Sequence, residues 1–401
     1  MPSENRGAFS HPTPTGRPPV VMQVLPSLVT GGVERGTIDM AVALAEAGWT
    51  ALVVSNGGHM VRELDRAGVK HIQLPVHSKN PFVMRVNIAR LEEVIRQHGV
   101  DVVHARSRAP AWSAYYAAQR TGTHFVTTFH GTYNGGWMGL KTAYNAIMTR
   151  GERVIAISHF IADHMQAIYK TDPHKIRVVH RGIDIDKFDP ARVSQERIIQ
   201  LAQRWRLPDG YPVIMLPGRL TRWKGQTVVI EALAVLGRRD IRCLLVGSDQ
   251  GRTAYTEELQ ALIERRGLTD VVHIVGDCND MPAAYMLTDV VVSASTDPEA
   301  FGRVIVEAQA MGRPVVATDN GAGRENVLDG QTGLLVPPND AAAMALALDR
   351  VLAIGAEERE LRAAVAIRFA RENFSRELMC ARTMGVYGEV LGLRPDGGDA
   401  A

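Results

Sequence analysis

The feature that most limits how this chain can fold is a rhythm of short β-branched runs set apart by helical patterns, repeated from Val20 to Val336. Strands are expected over 20–25, 51–55, 71–74, 100–104, 124–128, 154–157 and 176–179. Helices are expected over 33–47, 60–67, 83–98, 109–120 and 138–149. Between 184 and 210 the rhythm lapses into a connector with one helical piece, 195–206. It then restarts, with strands over 213–216, 241–246, 271–275, 290–293, 315–317 and 333–336 and helices between them. Strands alternating with helices build parallel sheets covered on both faces. The expected class is α/β, with two doubly wound, Rossmann-like domains over 20–190 and 191–375. Ligands of such sheets bind beyond the carboxyl ends of the strands.

The ends of the chain fall outside this rhythm. Residues 1–19 are rich in Pro, Ser, Thr and Gly and lack an apolar core, so they read as a disordered lead-in and not as a signal peptide. Two final helices, 356–372 and 375–390, have no strand to alternate with, and the tail from 394 reads as loose. A length of 401 residues suits two or three domains. The apolar and charged contents, 46% and 22%, are those of an ordinary soluble globular protein. A net charge of +2 without a Lys/Arg run argues against a nucleic-acid partner. Three scattered cysteines fit a reducing compartment, and no apolar run approaches the ~18 residues that span a bilayer. The expected location is the cytoplasm.

Function is read first from Thr296-Asp297-Pro298-Glu299-Ala300-Phe301-Gly302-Arg303-Val304-Ile305-Val306-Glu307. Asp-Pro cannot sit inside a helix, so a helix starts near Phe301 or Gly302. Its exposed N–H groups and dipole make an anion site. Glu299 and Glu307 stand roughly 12 Å apart if the helical rise of about 1.5 Å per residue applies. Carboxylates so spaced suit two hydroxyl-bearing ends of one ligand with an anionic middle. A nucleotide sugar is such a ligand.

The stretch resembles the E-x7-E signature of retaining glycosyltransferases of family 4, which have the two-domain GT-B fold. The resemblance continues through Ala308-Gln309-Ala310-Met311-Gly312-Arg313-Pro314-Val315-Val316-Ala317-Thr318 and includes the earlier loop Gly218-Arg219-Leu220-Thr221-Arg222-Trp223-Lys224-Gly225. It implies a hexose moved from a UDP- or GDP-sugar to a hydroxyl acceptor with retention of configuration and without a bound metal or cofactor. It also implies that the last helix, 376–393, returns to the first domain, which takes the acceptor while the second takes the donor. Glu299 is then assigned to the hexose hydroxyls and Glu307 to the ribose hydroxyls, with the amides of Phe301 and Gly302 at the phosphate and Ala300 among the donor-binding residues. Arg219 and Lys224, beside Gly218, are cations aimed at a departing diphosphate, where such charge lowers the barrier. Asp277 lies where the base would be read.

In the first half, Gly31-Gly32 opens a strand–loop–helix unit where backbone can approach a ligand, and the resemblance assigns the pair to the donor phosphates. Neither the dinucleotide fingerprint nor the P-loop pattern is present. His130, just past a strand end in Phe129-His130-Gly131-Thr132, can donate or accept a hydrogen bond near neutral pH, and the resemblance places it at the donor sugar. Arg106 and Arg108, with Trp112, read as a clamp for an anionic acceptor, from which a lipopolysaccharide-core or other cell-envelope glycan or glycolipid is expected. Trp137, Leu140, Tyr144, Ile147 and Met148 recur at near-helical spacing between Lys141 and Arg150, which allows a peripheral contact with the cytoplasmic face of the inner membrane.

Competing readings are weaker. Asp184-Ile185-Asp186 has the spacing of a metal-holding D-x-D but follows the family's connector motif. A glycoside hydrolase needs carboxylates about 5 to 9.5 Å apart. The closest enzyme rivals are a GT-B phosphorylase, which needs a marked pyridoxal-phosphate lysine, and a GT-B sugar-nucleotide epimerase. A non-catalytic two-lobe sugar-binding protein is usually exported.

Overall fold

The computed structural model describes residues 16–29, 31–133 and 140–393. The lead-in up to residue 15, Thr30, Trp137 and the tail from 394 lie outside the described residues. The chain divides into two compact units, Met1–Gly182 with Arg376–Ala401, and Ile183–Ser375. The passage between units falls after Gly182, so residues 183–190 of the connector count with the second.

The first unit holds a sheet of seven strands in the order β3-β2-β1-β4-β5-β6-β7. These are β1 Val20–Val24, β2 Thr50–Ser55, β3 Lys70–Gln73, β4 Val102–Ala105, β5 His124–Phe129, β6 Arg153–Ala156 and β7 Ile176–Val178. Every pairing is parallel. Strand β1, VVMQV, is buried along its whole length, as a strand covered on both faces must be. Its one polar residue, Gln23, donates to the Thr37 carbonyl at 3.0 Å, which satisfies the buried amide.

The second unit repeats the plan with six strands, ordered β10-β9-β8-β11-β12-β13. They are β8 Val213–Pro217, β9 Arg242–Val246, β10 Val272–Gly276, β11 Val290–Ser293, β12 Val315–Thr318 and β13 Gly333–Val336. In each sheet the winding reverses beside the first strand, between β1 and β4 and between β8 and β11. Each switch point leaves a crevice at the carboxyl ends of its own sheet's strands. Each unit has its own apolar core; Leu44, Val53 and Val102 sit in the first, and Ile214, Leu245 and Val292 in the second.

Helix ends follow local chemistry. Asn80 caps Pro81–His98 by accepting from the Phe82 amide at 2.9 Å, with Pro81 in the first turn and left-handed Gly99 at the end. The helix expected over 138–149 is α-helical over Leu140–Asn145 and then tightens to 3-10 geometry over Ala146–Thr149; residues 138 and 139 lie outside the described set. The last helix, Arg376–Leu391, belongs to the first unit, where it packs on the helix Gly32–Glu46. Its Tyr387 is fully buried and hydrogen-bonded to His104 Nδ1 at 2.6 Å. Among the described residues no helix is long and apolar enough to cross a membrane.

Candidate functional site

In the second unit, the loops after β8 and β11 flank the switch point, and they carry Gly218, Arg219 and Lys224 on one side and Glu299 to Gly302 on the other. A 3-10 turn, Arg222–Lys224, lays the Lys224 ammonium 4.3 Å over the Trp223 ring and within ion-pair reach of Glu299 Oε1. Ser295 Oγ donates to the same oxygen at 2.7 Å. Arg219 is exposed, and its carbonyl accepts from Gln226 Nε2 at 2.9 Å. The Glu299 main chain is fixed from behind. Its carbonyl accepts from the Ala322 amide at 2.8 Å, and a Cβ on Gly321 would fall 2.2 Å from that oxygen. Only glycine fits there.

The helix expected near Phe301 begins at Arg303 and runs to Ala310. Gly302 is its N-cap, with φ of 76°, a left-handed conformation that favours glycine, and no side chain caps the first turn. The roughly 12 Å reckoned from helical rise is therefore corrected, because half the steps from Glu299 to Glu307 precede the helix. Phe301 is buried against Phe374, ring centroids 5.8 Å apart, and Asn326 Nδ2 donates to the Phe301 carbonyl. Glu307 is buried on the helix. It accepts from Arg303 Nε at 2.7 Å and from the Tyr285 hydroxyl at 3.0 Å. Burial and the carboxylate beside it push the Tyr285 hydroxyl well above its usual range, which keeps it a donor. Asp277 is exposed just past the edge strand β10. Asp184 accepts from the Lys187 amide at 3.0 Å and Asp186 pairs with Arg192 at 2.7 Å, the use of aspartates in a turn.

In the first unit, Gly31 and Gly32 open the helix after β1, and His130 follows β5. Arg181 brings them together: its guanidinium packs against Gly32 and donates from Nη2 to His130 Nδ1 at 2.9 Å. A guanidinium has no acceptor, so Nδ1 carries the lone pair and the proton of the neutral ring is on Nε2. That Nε2 is buried and lacks a partner among the described residues. Burial first, then Arg181, Arg106 and His104, hold the ring well below the usual imidazole range, so it is neutral at pH 7. The broad expectation that His130 donates or accepts thus narrows to a single N–H donor.

The paired-arginine clamp is corrected. Arg106 is buried beneath the helix Gly32–Glu46, beside Gly36, and donates to Gln23 Oε1 at 3.0 Å. Arg108 instead faces a pocket, pinned by Asn145 Oδ1 at 3.1 Å and by the Tyr133 ring at 4.3 Å. Trp112 supports that wall from outside, donating to the Tyr144 carbonyl at 3.2 Å and stacking near its ring. Arg181, Tyr285, Ser295 and Gly321 carry no motif that marks them as site residues in the sequence. Only Arg303 had a local signal, as the residue four before Glu307 on one helix face.

Two family models together match most of the chain, Glycosyltransferase Family 4 over residues 30–187 and Glycosyl transferases group 1 over 198–367. A D-inositol 3-phosphate glycosyltransferase of Xylanimonas cellulosilytica is 31% identical over 317 residues, 74% of this chain and 73% of that protein. The chain belongs to glycosyltransferase family 4. A glycosyltransferase from Rickettsia africae has 40% identity and a TM-score of 0.87, covering 93% of this chain and 99% of that one. Anabaena HepE, crystallised with UDP and glucose, has 25% identity and a TM-score of 0.77, over 92% and 99% of the two chains. With these, the two Rossmann-like units are those of a GT-B glycosyltransferase.

Proposed function

We propose that this family 4 enzyme moves a hexose from a UDP-sugar to a hydroxyl acceptor with retention of configuration and without a metal ion. The observation that carries this reading is the second unit's switch point, where a lysine, a carboxylate and an uncapped helix start meet at neighbouring strand ends. A departing nucleoside diphosphate gathers negative charge, and Lys224, Arg219 and the amides of Phe301 and Gly302 stabilise it, with Ala300 beside them in the donor site. Fixed cations and peptide dipoles take the part that a divalent ion plays elsewhere. Glu299, oriented by Ser295 and Lys224, accepts from the hexose hydroxyls. Glu307, oriented by Tyr285 and Arg303, accepts from the ribose hydroxyls. Gly218 and Asp277 border the same donor site, and family membership assigns Gly31 and Gly32 of the first unit to the donor phosphates.

UDP is preferred to GDP on the strength of the HepE complex. His130 offers its Nε2–H to the donor sugar. Retention by same-face attack, assisted by the leaving phosphate, is what family membership implies. The acceptor presents a hydroxyl. A lipopolysaccharide-core or other cell-envelope glycan or glycolipid is one class of acceptor, and the relatives' name adds a small phosphorylated polyol as another.

The test is nucleotide release from UDP-glucose, UDP-N-acetylglucosamine and GDP-mannose, with and without EDTA. Saturating UDP or UDP-sugar should raise the melting temperature, since a ligand that binds only the folded state stabilises it by mass action. Turnover that stops in EDTA and returns with manganese would remove the metal-free reading. An inverted product anomer by NMR would remove retention.

A further inference from the structure

The first unit's switch point opens into a pocket of about 460 Å³ lined by Pro26, His77, Lys79, Ser107, Arg108, Ala109, Lys141, Tyr144 and Asn145. We infer that this pocket is a phosphate site and that the acceptor carries a phosphate monoester. The inference deepens the acceptor half of the proposed function and rests on that reading only for calling the occupant an acceptor.

Four features converge on an anion. The lining has three cationic side chains, Lys79, Arg108 and Lys141, and no carboxylate. Neither lysine makes an ion pair among the described residues, and Arg108 donates to a neutral amide and lies over a tyrosine ring. The helix Arg108–Thr121 starts at the pocket wall, and its N-cap Ser107 makes no side-chain cap bond, which leaves its first amides facing a prospective anion. Tyr144, which also lines the pocket, has a buried hydroxyl without a hydrogen-bond partner among the described residues. A buried hydroxyl rarely stays unpaired, so a ligand oxygen is the natural partner. The charge selects the class of anion. A monoester carries about −1.5 to −2 at pH 7, a better match to three cations and a helix start than the single charge of a carboxylate.

The shared chemistry could arrive as a free polyol phosphate or as a lipid headgroup, and titration of the intact chain in the absence of donor separates the two. By calorimetry, inorganic phosphate and inositol monophosphate should bind, whereas inositol and glucuronate should not. The Lys79→Ala/Lys141→Ala double variant should weaken phosphate binding about tenfold or more, the scale of lost charge-assisted hydrogen bonds. UDP affinity, set by the second unit, serves as the folding control. Tyr144→Phe should keep or raise the unliganded melting temperature, since it removes an unpaired hydroxyl, while it shrinks the shift caused by phosphate. A purely structural tyrosine would not give that opposed pair. Binding to phosphatidic acid vesicles but not to inositol monophosphate, and lost in the double variant, identifies a lipid headgroup; the reverse identifies a soluble acceptor. Equal binding of inositol and its monophosphate, equal binding of glucuronate, or a double variant that binds phosphate like the wild type overturns the inference. UDP binding without phosphate binding would sink the pocket alone, and phosphate binding without UDP binding would sink the donor reading alone.

Discussion

Lys224 shows how much one side chain can be asked to do. Its ammonium is held by Glu299 and the Trp223 face, so little reorganisation is left for the moment of leaving-group departure. Lys224→Ala should lower kcat/KM about 10²- to 10³-fold, by analogy with the loss of one preorganised donor. Initial rates of UDP release measure this, and a loss below fivefold would take Lys224 out of the chemistry. His130 and His104 make a second prediction. Both are held well below the usual imidazole range, chiefly by burial. The unfolded chain therefore binds more protons than the folded one below about pH 6.5, and stability falls as pH drops through that value. The slope approaches about 1.4 kcal/mol per pH unit for each histidine. Urea melts from pH 7 to 5 should show it, with a shallower slope in His130→Asn; an unchanged slope would mean that the ring titrates normally. The residues named from sequence were those whose local motif already states a chemistry, such as Glu299, Glu307 and Lys224. Arg181, 51 positions from His130, is invisible until the fold brings it there. The mispaired Arg106 failed for the same reason, because nothing in its neighbours announces that Gln23 and a helix will cover it.

At the scale of elements, strand positions were legible because both sheets are buried on both faces and write their strands as continuous β-branched runs, β11 as Val-Val-Val-Ser. Edges were less so. The helix after Gly302 starts at Arg303, just past the Phe301 or Gly302 start that the Asp-Pro turn suggests, since a left-handed glycine caps its first turn. The loops that flank it depend on a distant glycine. Gly321 sits after β12, yet its Cα faces the Glu299 backbone so closely that a methyl group would overlap both the Glu299 nitrogen and carbonyl oxygen. Its φ of 66° adds a conformational penalty for any side chain. Gly321→Ala should therefore move the Glu299 loop and cost about 1–3 kcal/mol of stability. The informative comparison is with Gly330→Ala, also left-handed, where an added methyl meets nothing within 4 Å. Gly321→Ala should lose turnover far beyond its loss of melting temperature, whereas Gly330→Ala should lose only stability. Equal turnover in the two variants would show that Gly321 does not position Glu299.

For the whole molecule, the path of the chain is the constraint. It completes six strands of the second unit and then spends Arg376–Leu391 on the first. That helix contributes Met379, Cys380, Met384, Val386 and Tyr387 to the first unit's core, and the Tyr387 hydroxyl is a partner of the buried His104, which Thr128 engages from its other nitrogen at 2.7 Å. Removing the helix would expose Val21, Leu44 and Val53 neighbours to water and strand a buried imidazole nitrogen, two named routes to large destabilisation. The second unit has its own core and loses none of it. A chain ending at Ser375 should thus lose amide hydrogen-exchange protection in peptides covering β1, β4 and β5, while those covering β8 and β11 stay protected. UDP binding, assigned to the second unit, should survive the truncation even as transfer is lost. Uniform loss of protection across both sheets would show that neither unit stands without the other, and loss confined to the second would place the last helix in the wrong core.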